Sequence, residues 1–493
     1  MIKKNIFYRV LLSILIGFYN IFFYSLSSKA EVKELSEYNQ SQVCIQGLES
    51  AINSILNQSE RSRENWGILI EKLNKNQTLY KLNENKYFIP ASNVKLFTTA
   101  SFLLNFGENF TIKTPIYIKG KEEFIDELII IGKGDPTITK SDLEDIAKKL
   151  QQLNINHVKN LILVNSSPIK YPFNNSWEFS DLYFYYAVPI NSFILEENTV
   201  TLSLTPSQVG KQILLKWSDK LAGKQWLITN EGVTVSEDEE YSINLNPMGL
   251  ESRLRIEGNL PVNNHDDNWW LSIPNPEQYF QDSLIAILQN NGIQVEKTEI
   301  IDQKNIDLSD ANLLLEINSP NSNNLIAEIN QNSNNLYAEI LLSYLATNQD
   351  TKFISQTKIL ENVGLLSNDY SLKDASGLSR QNLATPKSLV TLLKLMDKTE
   401  YAKTFRNSLS LAGVNGTLKN RFQNEDIIDN NLWGKTGTLT GVSALSGYLR
   451  TKDDDVVFSI MVNNSSALSK ELRDTIDKLL VIVAQSQHCA NNS

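Results

Sequence analysis

A chain of 493 residues exceeds what one ordinary hydrophobic core holds, so two or three domains are expected. With 41% hydrophobic and 21% charged residues, it has the material for packed cores and lacks the profile of a disordered chain. The net charge of −10, with no dense Lys/Arg stripe anywhere, excludes a nucleic-acid-binding protein, which needs a basic face against phosphates.

The first thirty residues differ in kind. Lys3, Lys4 and Arg9 precede an uncharged apolar run from Val10 to about Tyr24, and Ser28-Lys29-Ala30 follows. A basic start, a short apolar stretch and a small-x-small exit describe a secretory signal peptide cut before Glu31. The alternative is an uncleaved anchor helix, and the run is shorter than the ~20 apolar residues a membrane span prefers. The body is therefore expected to be exported, into the periplasm, with no stable membrane span once the leader is removed. Cleavage would take away four positive charges and no negative ones, moving the net charge from −10 to −14. Cys44 and Cys489, the only cysteines, are candidates for a disulfide in an oxidising compartment, and two unpaired thiols are the alternative. No metal site follows from two cysteines and the scattered His157, His265 and His488, and no cofactor is expected.

Residues 66–82 read as a hairpin, WGILIEKL and QTLYKL around a polar turn. Pro90-Ala91 then introduces SNVKLFTTASFLLNF, apolar nearly all round, as expected of a helix buried at a domain centre. From about residue 116 to 272 the texture changes to short β-rich runs such as ELIIIG, NLILVN and TVTLSL, separated by Asn, Gly and Pro turns. Helical patterns return in QDSLIAILQNNG, NLYAEILLSYLATN, TPKSLVTLLKLMDK and KELRDTIDKLLVIVAQ, with strands between 435 and 463 among them. The expected fold is an α/β (α+β) domain formed by residues 31–115 and 273–493 and split by an inserted β-rich segment, 116–272.

A serine needs a base beside it to act as a nucleophile, and a neutral lysine can serve. Ser92 and Lys95, at i and i+3, share one face of a helix whose start offers unpaired N–H groups to an oxyanion. The same spacing recurs at Ser167/Lys170 and Ser355/Lys358, so spacing alone does not choose. Pro168 argues against a helix at Ser167, and Ser355 lies in a polar stretch with no apparent buried helix behind it. Gly434-Lys435-Thr436-Gly437-Thr438 occurs once and suits a carboxylate-binding edge: a charge, hydroxyl donors, and a glycine that lets a substrate backbone approach. Ser333-Asn334-Asn335 can relay a proton and hold an amide. Ser242-Ile243-Asn244 and Ser322-Asn323-Asn324 match it equally, the last because Asn-Ser-Asn-Asn-Leu at 321–325 recurs at 332–336. In chain order, Ser-x-x-Lys, Ser-x-Asn and Lys-Thr-Gly follow one another as in penicillin-recognising serine enzymes.

PASNVKLFTTA, NSNNLYAEILL, DASGLSRQNLATP, LAGVNGTLKNRF and GKTGTLTGVSALSGY resemble the class C low-molecular-mass penicillin-binding proteins, the D-alanyl-D-alanine carboxypeptidase/endopeptidase family (peptidase family S13). The likeness covers most of residues 40–485, and GKGDPTIT (132–139) and WEFSDLYFYYAVPINSF (177–193) resemble segments of that family's insert. The resemblance implies a penicillin-binding/β-lactamase-like transpeptidase fold with a large insertion. It implies Ser92 as acylated nucleophile, Lys95 as its base, and Ser333 and Asn335 as the second motif, preferred over Ser322 because LYAEILL follows. It further implies Lys435, Thr436, Gly437 and Thr438 as the substrate-side wall, and Trp177, Asp181 and Tyr185 as contributors to a pocket for the third residue of a stem peptide. Peptidoglycan stem peptides would be the substrate and β-lactam antibiotics covalent inhibitors. A β-lactamase or esterase using the same residues, or a non-catalytic cell-wall binding protein, are the alternatives. Two departures stand out: Lys133 and Ala375 occupy positions where relatives often carry glycine.

Overall fold

The computed structural model describes residues 45–75, 77–121, 123–166, 172–249, 252–345, 351–423, 425–452 and 454–486. The expected leader, Cys44, Cys489, Ser167 and Lys170 lie outside the described residues.

The two ends of the chain build one sheet. The hairpin Asn65–Lys72/Thr78–Leu82 forms with an irregularity of register between Ile70 and Glu71, and its first strand pairs antiparallel with Asp455–Asn463, from Asn65↔Asn463 to Lys72↔Val456. Val442–Arg450, Leu432–Leu439 and the two-residue strand Ser410–Leu411 complete a six-stranded antiparallel order. Val442–Arg450 and Asp455–Asn463 are almost wholly buried, because both faces of the sheet are covered. Helices Ile45–Leu56 and Ser469–Gln485 cover one face through Leu48, Ile52, Ile476 and Leu480. The other face packs on the helical core of Val94–Phe106, Ser322–Gln331, Asn335–Tyr344, Lys352–Asn362 and Pro386–Met396.

Within that core, Val94–Phe106 is buried on every side from Val94 to Leu103, as its unbroken apolar run requires. A 3-10 turn, Ala91–Asn93, leads into it, so Ser92 sits two residues before the helix proper. Gly107, at φ 70°, ends it by turning its N–H back to Leu103.

The middle of the chain folds on a second core. Strands Lys113–Lys121, Phe124–Gly132 and His157–Asn165 lie in a five-stranded mixed sheet whose outer members are Gln294–Asp302, parallel to His157–Asn165, and Asn312–Asn318, antiparallel to Lys113–Lys121. Two three-stranded sheets from residues 199–272 and helices Lys140–Gln152 and Pro276–Asn290 pack with it. Residues 273–318, expected on the transpeptidase side, therefore sit on the second core. The hydrophobic face of Pro276–Asn290, with Tyr279, Phe280, Leu284 and Leu288, is buried there, and the two strands that follow find their partners in the same sheet.

Ser355 is a second correction. It lies on the helix Lys352–Asn362, which does have a buried helix behind it, Val94–Phe106. Gln356 and Leu360 carry that packing, while Lys358 points outward and is exposed.

Candidate active site

The site forms where the start of the Val94–Phe106 helix meets the strand Leu432–Leu439 and the loop before Asn335–Tyr344. Gly437 is what lets the strand come so close. A Cβ there would lie 2.8 Å from the Pro90 carbonyl oxygen and 2.9 Å from Asn93 Nδ2, so its missing side chain makes room for the protein's own turn rather than for a ligand backbone. The turn is held from the other side as well. Ala91 takes φ 47°, and Gly377 of DASGLS, at φ 85°, lies against it; a Cβ on Gly377 would stand 2.0 Å from the Ala91 carbonyl oxygen.

That contact gives a direct test. Gly377→Ala combines a left-handed backbone with a clash against main chain, and is expected to cost about 2–4 kcal/mol in urea denaturation. An unchanged midpoint would mean that the loop does not brace the Ser92 turn. Ala375, by contrast, is not among the residues with positive φ and sits in the core, its carbonyl accepting from Thr98 Oγ1 at 2.8 Å. Its replacement of a glycine therefore leaves the loop undistorted. Lys133 is equally unstrained, since the positive φ of that turn falls on Gly134.

Lys95 Nζ lies 3.0 Å from Ser92 Oγ, 2.5 Å from Asn335 Oδ1 and 2.5 Å from the Ser376 carbonyl oxygen, donating to all three. Asn335 Nδ2 donates to the Tyr186 carbonyl at 2.7 Å, which fixes the amide with its oxygen toward the lysine. Lys435 Nζ donates to Ser333 Oγ at 3.0 Å and to the Thr436 carbonyl at 3.0 Å, and Thr436 Oγ1 donates to Thr417 Oγ1 at 2.8 Å. Thr438, on the same strand opposite Ser443, is exposed. Ser92, Lys95, Ser333, Asn335 and Lys435 are thus brought together.

Both lysines are fully buried. Burial pushes Lys95 down to about 7, against the opposing pull of Asp374 and Glu339. Burial, with the charge of Lys95 adding to it, also holds Lys435 well below the usual lysine range. The burial of each lysine, and the charge of Lys95 acting on Lys435, both disfavour the state in which the two are ammonium at once. Glu339 shapes the pocket from behind: its Oε1 accepts from the N–H groups of Ala375 (2.8 Å) and Ser376 (3.1 Å), turning the Ser376 carbonyl toward Lys95.

The repeated Asn-Ser-Asn-Asn-Leu is used in two ways. In the first copy Asn321 caps its helix, so Ser322 lies inside the first turn and is buried. In the second copy the helix starts later, capped by Asn334, which leaves Ser333 outside it at φ 60° and facing Lys435. Ser242 and Asn244 lie at the strand Asn244–Pro247 of the second core, in none of these contacts.

Of the three residues expected in an insert pocket, Trp177 is only 9% exposed, and its indole N–H donates to Asp374 Oδ2 at 2.9 Å. That bond clamps the insert to the DASGLS loop, whose backbone Asp374 also holds through the N–H groups of Gly377 and Ser379. Asp181 accepts from Tyr186 Oη at 3.2 Å, and burial raises its carboxyl above the usual range. Tyr185 is 54% exposed and meets Trp270 edge to face. Tyr186, Ser376, Thr417 and Glu339 were not singled out from the sequence. Two act through backbone carbonyls, which carry no side-chain signal, and Thr417 sits in the LAGVNGTLKNRF segment that the family resemblance had marked.

Known proteins align along most of the chain. It is 27% identical to the penicillin-sensitive carboxypeptidase A of Dictyostelium discoideum over 486 residues, covering 89% of this chain and 92% of that one. It is 25% identical to a D-alanyl-D-alanine carboxypeptidase of Actinomadura sp., covering 81% and 78% of the two chains. The fold is shared with the crystal structure of penicillin binding protein 4 (dacB) from Haemophilus influenzae, with a TM-score of 0.77 and 21% identity over 88% of this chain and 99% of that one. A sequence pattern spanning residues 48–483 carries the conclusion: the chain belongs to the D-Ala-D-Ala carboxypeptidase 3 (S13) family.

Proposed function

We propose that this serine-type D-Ala-D-Ala carboxypeptidase works through an acyl-enzyme on Ser92, with Lys95 as the base that removes the hydroxyl proton. The observation that carries the reading is the buried lysine 3.0 Å from Ser92 Oγ, with its basicity brought down to about 7. A stem peptide ending in D-Ala-D-Ala lies along Leu432–Leu439 with its carboxylate at Lys435, Thr436 and Thr438. The anion restores the charge of Lys435, and that charge in turn favours the neutral form of Lys95. Ser92 attacks the penultimate carbonyl, whose developing oxyanion is met by the N–H groups of Ser92 and Thr438. Lys95 accepts the proton, and Ser333 gives its own to the departing amine and is restored from Lys435. Water then adds its hydroxyl to the ester carbonyl and its proton returns to Lys435, while Lys95 gives its proton back to Ser92 Oγ. β-Lactams enter the same path and leave Ser92 acylated.

The sign of the pH dependence follows. Lys95 must be neutral to act, so kcat/KM on a D-Ala-D-Ala peptide is expected to rise as pH climbs through about 7 and to level off above it. A rate that falls across that interval would remove Lys95 as the base.

A cross-link joins the same D-Ala carbonyl to an amine of a neighbouring stem peptide, so D,D-endopeptidase activity belongs to the proposal, and digestion of cross-linked muropeptides measures it. Export to the periplasm is part of the reading too, because the substrate is there and the first thirty residues have the pattern of a leader. Among the described residues no helix is long and apolar enough to cross a membrane.

A further inference from the structure

Beside the second motif stands a turn of the insert with an unusual backbone. Glu196, Glu197 and Asn198 take φ of 50°, 54° and 54°, three successive left-handed residues without a glycine among them. Each is a conformation that side chains ordinarily avoid, and such strain persists only where surroundings impose it. Asn198 supplies part of that imposition: it is fully buried, its Nδ2 donates to the Pro189 carbonyl at 2.9 Å, and its Oδ1 accepts from Leu195 N–H at 3.3 Å.

The turn sends its two carboxylates to different bodies. Glu196 Oε1 accepts from the N–H of Lys140, at the start of the insert's helix Lys140–Gln152, at 2.9 Å. Glu197 points the other way. Its Oε2 accepts from Asn334 Nδ2 at 3.0 Å, and its Oε1 from Tyr337 Oη at 3.4 Å. Asn334 also donates to Glu328 Oε1 at 3.3 Å, while its Oδ1 caps the following helix through Tyr337 N–H at 3.3 Å. The amide is thereby locked, nitrogen toward two carboxylates and oxygen toward the helix. Ser333, the preceding residue, is itself left-handed and holds its hydroxyl on Lys435.

We infer that Glu197 is a positioning residue for the reaction: through Asn334 the insert fixes the Ser333 hydroxyl on Lys435. The inference rests on the reading of Ser333 given above. It assigns the insert a role in proton delivery that is separate from any contact with substrate.

The test compares rates of acylation by labelled benzylpenicillin in Glu197→Ala, Glu197→Gln, Glu196→Ala and Ser333→Ala, with the melting temperature of each. Glu197→Ala is expected to acylate roughly 10-fold or more slowly, because a displaced hydroxyl forfeits orientation. Glu197→Gln, which keeps an acceptor for Asn334, recovers to within about threefold. Glu196→Ala loses a contact of the same turn to the other body and stays within about twofold of the parent, although its melting temperature falls as well. Should Glu197→Ala fail to fold, Asn334→Asp substitutes for it: a third carboxylate against Glu197 and Glu328 slows acylation, and adding Glu197→Gln restores part of the rate. Parent-like acylation by Glu197→Ala beside an impaired Ser333→Ala overturns the inference alone, as does an equal loss in Glu196→Ala. Parent-like acylation by Ser333→Ala overturns the reading of Ser333 and this inference with it.

Discussion

Replacing Ser92 by alanine is expected to abolish covalent labelling by radioactive benzylpenicillin and to lower hydrolysis of a D-Ala-D-Ala peptide by ~10⁴–10⁶-fold. The effect is this large because the nucleophile has no substitute within reach. Lys95 Nζ would still face Asn335 Oδ1 and the Ser376 carbonyl, but neither can form an ester. The fold should survive: Ser92 is partly exposed, and the turn around it is held by Gly437, Gly377 and Pro90 rather than by its hydroxyl. Ser355→Ala serves as the comparison and should label fully, since its helical partner Lys358 points away from Ser92 and is exposed at the surface. Labelling that persists in Ser92→Ala would end the proposal.

The second large effect is expected from Lys95→Met, which keeps length and volume and removes the base. Activity should fall by roughly 10²–10⁴-fold, the usual range for a lost general base, and the remaining rate should no longer rise through pH 7. Stability moves less than the depth of the site suggests. Methionine strands two acceptors, Asn335 Oδ1 and the Ser376 carbonyl, at about 1–3 kcal/mol each. Against that, it removes the desolvation of a fully buried lysine. A folded, inactive protein whose pH profile is flat is therefore the expected outcome. A variant that is unfolded would make Lys95 a structural residue, and one that keeps the pH step would place the base elsewhere.

How much of this could be read from the chain depends on what kind of signal each feature leaves. The Val94–Phe106 helix was legible because burial on all sides writes an unbroken apolar run, and the closing strands because both their faces are covered. The return point of the insert was not. Gln294–Asp302 lies at the edge of its sheet with most of its side chains in solvent, so alternation gives no hint of which core it joins. Its register is set by the main chain of His157–Asn165, a partner more than a hundred residues away. The same distinction runs through the site. Ser92, Lys95 and Lys435 stand in short motifs, whereas the groups that orient them are carbonyls of Ser376 and Tyr186 and a carboxylate on a strained turn. The two copies of Asn-Ser-Asn-Asn-Leu make the point most sharply. Five identical residues give one buried serine and one at the centre of the site, and the difference lies in which asparagine starts the helix.

The pairing of Asn65 with Asn463 has a consequence in time. The five-stranded sheet closes on residues 113–318, so it can form from a continuous stretch of chain. The Ser92 turn, in contrast, is braced by Gly377 and by Gly437, and its sheet is sealed by a strand ending at Asn463. Contacts of such sequence separation form late, after the entropy of closing the intervening loop has been met. Ser92 is made early, and its surroundings are completed last. A chain lacking its final strands should hold a folded insert and an inert Ser92.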